Sequence, residues 1–255
     1  MILRSILFNI AFYANLVFWI ILILPTLLVP RHLAWAGVRG WANSSVWLLK
    51  VIAGARLEVR GLEKIPEGGC IVAAKHQSFY ETFALLPLFA DPAYIFKREL
   101  MWLPGFGWYL MKMSQIPVNR GKRSVALKAM TARAVDDIRH GRQIIIFPEG
   151  TRRPAGAEPA YKYGVAHLYR ASGATVLPVA LNSGLFWPRR KFERYPGTIV
   201  MEFLDPIAPG LSIEDFQETL QARIEPVCDR LIEEAAAAPN PSPLATDIVR
   251  AKATR

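Results

Sequence analysis

A chain of 255 residues with a formal net charge of +10 has room for one domain of ordinary to large size. Its basic balance suits a phosphate-bearing partner: nucleic acid, anionic lipid or a phosphorylated substrate. Sequence motifs of the common nucleic-acid folds are absent, which sets the first aside. The two cysteines, Cys70 and Cys228, have neither disulfide-framework nor metal-ligand spacing, so they fit a reducing compartment and imply no metal.

The hydrophobic fraction of 52% is somewhat high, and the excess lies at the N-terminus. Ser5 through Val29 carries no charge and is long enough to cross a hydrocarbon core, with Pro25 and Pro30 interrupting or ending the helix. A second apolar stretch, 33–53, confines His32, Arg39, Asn43 and Lys50 to one stripe at about 100° per residue. That pattern suits the membrane interface, with Trp35, Trp41 and Trp47 at headgroup depth. Three readings stay open: a signal peptide cleaved near Ala34-Trp-Ala36, a single spanning helix, and a two-helix hairpin in one leaflet. Arg31, Arg39 and Lys50 follow the first run while only Arg4 precedes it, which places the remainder on the cytoplasmic face of the cell (inner) membrane in the last two readings.

Beyond residue 54, short β-branched runs alternate with helical patterns, the signature of an α/β sandwich. The predicted strands are 56–60, 70–74, 94–96, 115–118, 143–147, 175–181 and 198–204. The predicted helices are 82–89, 124–139, 164–171 and 213–237, the last with Ser212 and Asp215 in a capping-box-like arrangement. The organisation expected is 1–54 as membrane-associated helices, 55–237 as a catalytic domain, and 238–255 as a disordered tail, since the chain turns Ala/Pro-rich there.

The chemistry is carried by Lys75-His-Gln-Ser-Phe-Tyr-Glu-Thr82. On a continuous helix His76 and Glu81 would stand about 140° apart, beyond hydrogen-bonding reach. The strand 70–74 must therefore end before His76, with Glu81 in the first turn of the next helix, where a carboxylate is electrostatically favoured. Glu81 would then fix the imidazole tautomer while His76 acts as general base on a substrate hydroxyl. Ser78 lacks a nucleophile-elbow context, and His32, His140 and His167 stand alone.

Three further blocks follow in order: Ile116-Pro-Val-Asn-Arg120, Phe147-Pro-Glu-Gly-Thr-Arg152 and Leu177-Pro-Val-Ala180. Together with the His motif they resemble the glycerolipid acyltransferase family of the 1-acylglycerol-3-phosphate O-acyltransferase type, over roughly residues 55–205. The resemblance implies a glycerol-3-phosphate acyltransferase-like α/β sandwich. It also implies transfer of a fatty acyl chain from acyl-CoA or acyl carrier protein to lysophosphatidic acid, giving phosphatidic acid at a membrane, with no cofactor or metal. By the same resemblance His76 and Glu81 are catalytic, Arg120 holds the acceptor's phosphate, and Glu149, Gly150, Thr151 and Arg152 bind its phosphoglycerol. Leu177-Pro-Val-Ala180 would wall the acyl or thioester site, though packing explains that block equally well. Pro178 itself points to an edge strand or a bulge. Two positions depart from the family: Glu81 stands where Asp is usual, and Arg153 where Ser commonly follows. The basic clusters Lys97-Arg98 and Arg189-Arg190-Lys191 suit CoA phosphates, anionic headgroups or plain solvent. Other acceptors (glycerol 3-phosphate, a lysophospholipid, an ornithine lysolipid) and a non-catalytic lipid-binding protein of the same fold remain as alternatives.

Overall fold

The computed structural model describes residues 1–119 and 123–254. Seven strands form one sheet in the order β1-β7-β6-β2-β5-β3-β4: β1 (Ala55–Arg60), β2 (Cys70–Ala74), β3 (Pro92–Lys97), β4 (Ile116–Val118), β5 (Gln143–Ile146), β6 (Val176–Leu181) and β7 (Gly197–Phe203). All neighbours run parallel except β6 and β7. The central strands β2, β5 and β6 are buried along their whole length, as central strands covered on both faces must be, and apart from Gln143 at the start of β5 their sequences are apolar.

Helices cover both faces. On one lie α1 (Ile2–Leu22) and α2 (Arg31–Leu48); on the other lie α5 (Arg123–Arg139), α6 (Gly164–Ser172) and much of α7 (Ile213–Ala237). The short helices α3 (Glu81–Ala84) and α4 (Phe106–Lys112) sit at the site end. At α7 the Ser212 hydroxyl accepts from Asp215 N–H at 3.0 Å and donates to the Asp215 carboxylate at 2.7 Å, so only half of a capping box forms. The helix predicted over 82–89 stops at Ala84, because Pro87 allows only a 3₁₀ turn, Leu86–Leu88.

The N-terminal helices pack closely. Gly40 faces the Trp19 ring, and a Cβ there would come 2.2 Å from it. Phe8 and Phe12 enter the main core beside Trp187 and Phe83. Both ends of α1 are tied to the sheet domain. Ser5 Oγ accepts from Arg194 N–H at 2.9 Å, and beyond the other end Lys112 Nζ donates to the Leu27 carbonyl at 3.0 Å.

Several expectations change. Trp35 and Trp41 are buried in the protein, and only Trp47 stays exposed. Trp35 donates to Asp91, and Arg39 of the polar stripe donates to the Phe89 and Ala90 carbonyls, while His32, Asn43 and Lys50 of that stripe stay exposed. Ala34 is buried in α2, inside the shared core, which is no place for a cleavage site. The tail read as disordered carries α8 (Pro243–Ala253). Pro243 starts that helix, and Leu244, Ala245, Ile248 and Val249 form an apolar stripe against the core. Finally, β6 is interior, yet Pro178 is tolerated because it sits just before the β6–β7 ladder begins at Val179↔Phe203.

Candidate active site

Along β2 the side chains alternate between two cores. Cys70, Val72 and Ala74 join the core of α1 and α2, while Ile71 and Ala73 join that of α5, α6 and α7. Lys75 and His76 continue the alternation past the strand's end and so leave on opposite faces.

His76 Nδ1 lies 2.9 Å from Glu81 Oε1. The turn predicted between them exists, and it does more than bring them together. Its own amides, Gln77 N–H and Ser78 N–H, each donate to the same oxygen at 2.7 Å. Ser183 Oγ donates to Glu81 Oε2 at 2.7 Å. A fully buried carboxylate is thus matched by four donors, the arrangement that buried charge requires. With Nδ1 donating to Glu81, the imidazole keeps Nε2 as its acceptor. The ring stacks on Phe147 at a centroid distance of 3.8 Å and an interplanar angle of 14°. Ser78 is buried, and its hydroxyl accepts from Tyr80 N–H at 3.2 Å, a turn-capping role. Burial, then the charge of Glu81, pushes the Tyr80 and Tyr94 phenols up, so both stay neutral beside the dyad.

His76 lines a cavity of about 1650 Å³. α1 and α2 supply apolar lining to it, with Phe12, Trp19 and Trp41 among its members. The same cavity is also lined by the cations Arg152, Lys162, Arg190, Lys191 and Arg194.

The second block reaches this site because β5 lies beside β2 in parallel register, Ala73 opposite Ile146. Arg153 N–H donates to the His76 carbonyl at 2.8 Å and locks the two strand ends together. Gly150 takes a left-handed φ of +64°, which turns the chain so that Gly150, Thr151 and Arg152 face the cavity. Burial lowers the Arg152 pKa, with Arg189 and Arg190 adding to the effect against the pull of Glu81. Among the described residues no carboxylate is ion-paired with Arg152, so a bound anion would meet a cation that lacks one. Arg153 points elsewhere, donating to the Glu158 carbonyl at 2.7 Å.

Glu149 is the exception within its block. It is buried away from the cavity and pairs with Lys75 at 3.2 Å. Lys75 also pairs with Glu225 at 2.8 Å, and Tyr161 donates to Glu225 at 2.8 Å. The expected hydroxyl-binding role of Glu149 is therefore corrected: its acceptor capacity is turned into the protein. Burial, only partly offset by Lys75, raises its pKa. For Lys75, burial works downward, but the bond to Glu225 and the charges of Glu225 and Glu149 win and raise it. Leu177, Val179 and Ala180 are core residues and are not among those lining the cavity. Arg120 lies outside the described residues; Asn119, just before it, lines the cavity. The cysteines are inert by burial, which pushes Cys70 up to about 11 and Cys228 to about 12.

Residues 56–182 match the family model described as Acyltransferase. Over 162 residues the chain is 41% identical to a Pseudomonas aeruginosa protein named 1-acyl-sn-glycerol-3-phosphate acyltransferase, covering 64% of this chain and 63% of that one. It is 33% identical over 191 residues to a Borreliella burgdorferi protein of the same name, covering 73% and 74%. The chain thus spans under two thirds of the Pseudomonas relative, and the match to a chloroplastic relative from Brassica napus covers 40% of that protein. Among solved structures, the LPA acyltransferase PlsC of Thermotoga maritima shares the fold, with a TM-score of 0.77 at 24% identity over 91% of this chain and 98% of that one.

Proposed function

The chain belongs to the 1-acyl-sn-glycerol-3-phosphate acyltransferase family, and from that premise we propose that it moves a fatty acyl chain from an acyl thioester to the sn-2 hydroxyl of lysophosphatidic acid. The observation that carries this reading is a His76–Glu81 dyad opening onto a cavity lined by both apolar and cationic side chains. Nε2 of His76 takes the proton of the acceptor hydroxyl as its oxygen attacks the thioester carbonyl. The carbon–sulfur bond then breaks, and the departing thiolate receives that proton from His76. Glu81 orients the ring and balances the imidazolium that forms between the two transfers. The acceptor's phosphate is held by Arg152 with Lys162 and Arg190, and Arg120 is offered as a further ligand. The thioester is carried on CoA or acyl carrier protein.

The enzyme resides at the inner membrane with its catalytic domain on the cytoplasmic face. Ile2–Leu22 is the one described helix long and apolar enough to cross a membrane. The ties near both ends of α1 to a single domain support the hairpin in one leaflet over a spanning helix. Single cysteines at positions 4 and 31 should both be labelled by an impermeant reagent from the cytoplasmic side alone; labelling of position 4 from the other side rejects the hairpin. The reaction itself is tested by a donor-by-acceptor panel read by product mass. Phosphatidic acid should form from lysophosphatidic acid, and a panel in which only other acceptors are acylated overturns the assignment.

A further inference from the structure

The exposed apolar surface does not end with α1. The 3₁₀ turn Arg98–Trp102 and α4 carry a second patch, on the catalytic domain itself. Trp102 is 76% exposed, and Leu103, Trp108 and Met111 are each about half exposed. Large apolar side chains so close together are rarely left to water, and tryptophan is the residue most at home at headgroup depth.

This patch is continuous with the N-terminal segment. A Cβ on Gly105 would come 2.7 Å from the Ile20 side chain, so the Gly105 backbone packs directly on that side chain. Lys112, at the end of α4, donates to the Leu27 and Val29 carbonyls beside Leu28, which is 92% exposed. The basic pair Lys97-Arg98 stands exposed at the start of the same segment, as anionic headgroups would require. Between the two patches lies a cavity wall: Leu100, Leu103 and Phe106 line the cavity on one side, Ile20 and Ile23 on the other.

We propose that residues 98–112 form a second lipid-contacting element, which together with α1 sets the cavity mouth at the bilayer surface. The occupant is the lipid bilayer. An acyl chain then passes from the leaflet into the cavity without crossing water. The inference rests on the membrane-bound reading above and not on the chemistry at His76.

The test uses the full chain bound to phosphatidylcholine–phosphatidylglycerol vesicles whose acyl chains are brominated. Bromine quenches tryptophans only at close range, so Trp102→Phe/Trp108→Phe, which keeps the apolar area, should lose part of the quenchable emission of the wild type. An unchanged quenchable fraction overturns the proposal. Trp102→Glu/Trp108→Glu should lower the rate on bilayer-embedded acceptor about tenfold relative to a short-chain acceptor dispersed as monomers, two interfacial anchors having been replaced by charges. A bilayer-to-monomer ratio equal to the wild type's overturns it also. So does a drop in oligomeric mass of the Glu variant with no quenching at 102 and 108, which assigns the face to a second copy of the chain. Quenching needs no turnover, so quenched tryptophans without acyl transfer would sink the catalytic reading alone.

Discussion

Two buried carboxylates stand near the end of β2, on opposite faces of the sheet, and they do different work. Glu81 is held by four donors, and its partner His76 opens onto the cavity. Glu149 is held by Lys75, which is 3% exposed, and one of its oxygens has no hydrogen-bond partner. The first carboxylate is saturated and its neighbour accessible, the arrangement that lets a proton move. The second is undersupplied and its neighbour sealed, the arrangement that fixes strand ends. Motif membership does not separate them; accessibility and donor count do.

The largest expected effect lies on the open side. His76→Ala should reduce acyl transfer by about 10²–10⁴-fold, the usual span for a general base, with an unchanged unfolding midpoint. Substantial turnover by a folded variant removes the mechanism.

On the sealed side the signs invert. Lys75→Met strands Glu149 without its cation, and breaking a buried pair costs about 3–5 kcal/mol of stability. Adding Glu149→Gln should restore part of that loss, so the double variant costs less than the two singles summed. Glu149→Gln alone should move the unfolding midpoint more than the acceptor's KM. A midpoint left unmoved alongside a large rise in KM would return Glu149 to the substrate.

Ser183→Ala sharpens the comparison from the other direction by removing one of four donors. A hydrogen bond to a charged group is worth about 1.5–3 kcal/mol, so a loss of roughly tenfold or more in kcat is expected. The variant should lower kcat without raising KM; a pure KM effect points to a cavity wall instead.

The smallest effect is a titration. The folded pKa of Lys75 lies above its ordinary 10.5, so its contribution is whole below 10.5 and is lost as pH rises through the raised folded value. The stability gap between wild type and Lys75→Met, read from denaturant midpoints, should therefore hold constant below pH 10.5 and narrow above it. A gap that widens there contradicts the assignment of Lys75 as the cation of the pair.

The dyad was legible because it is local: five residues, a turn and a helix start. Phe147 and Ser183 were not, since neither carries a signal that it will meet His76 or Glu81, and Ser183 is 102 residues from Glu81. Glu149 was misread because a motif carboxylate invites a substrate, whereas its neighbour Lys75 is supplied from 74 residues earlier. Strand positions were readable from apolar runs, and β2 and α7 fell where patterning put them. Apolarity does not distinguish lipid from protein as a solvent, so Trp35 and Trp41 were placed at the membrane although they are core residues. The same ambiguity hid α4, whose Gly105 and Gly107 mask a helical pattern.

The bond between Ser5 and Arg194 has a consequence during synthesis. Its two halves are 189 residues apart, and β1 likewise waits for β7. At ordinary elongation rates α1 therefore precedes Arg194 by about 10–40 s. Over that interval the core beneath α1 is incomplete: α2 and Phe83 are already made, but Trp187, which packs on Phe8 and Phe12, is not. On the membrane-bound reading proposed above, α1 can reach the bilayer surface before β7, the last strand of the sheet in chain order, has been made.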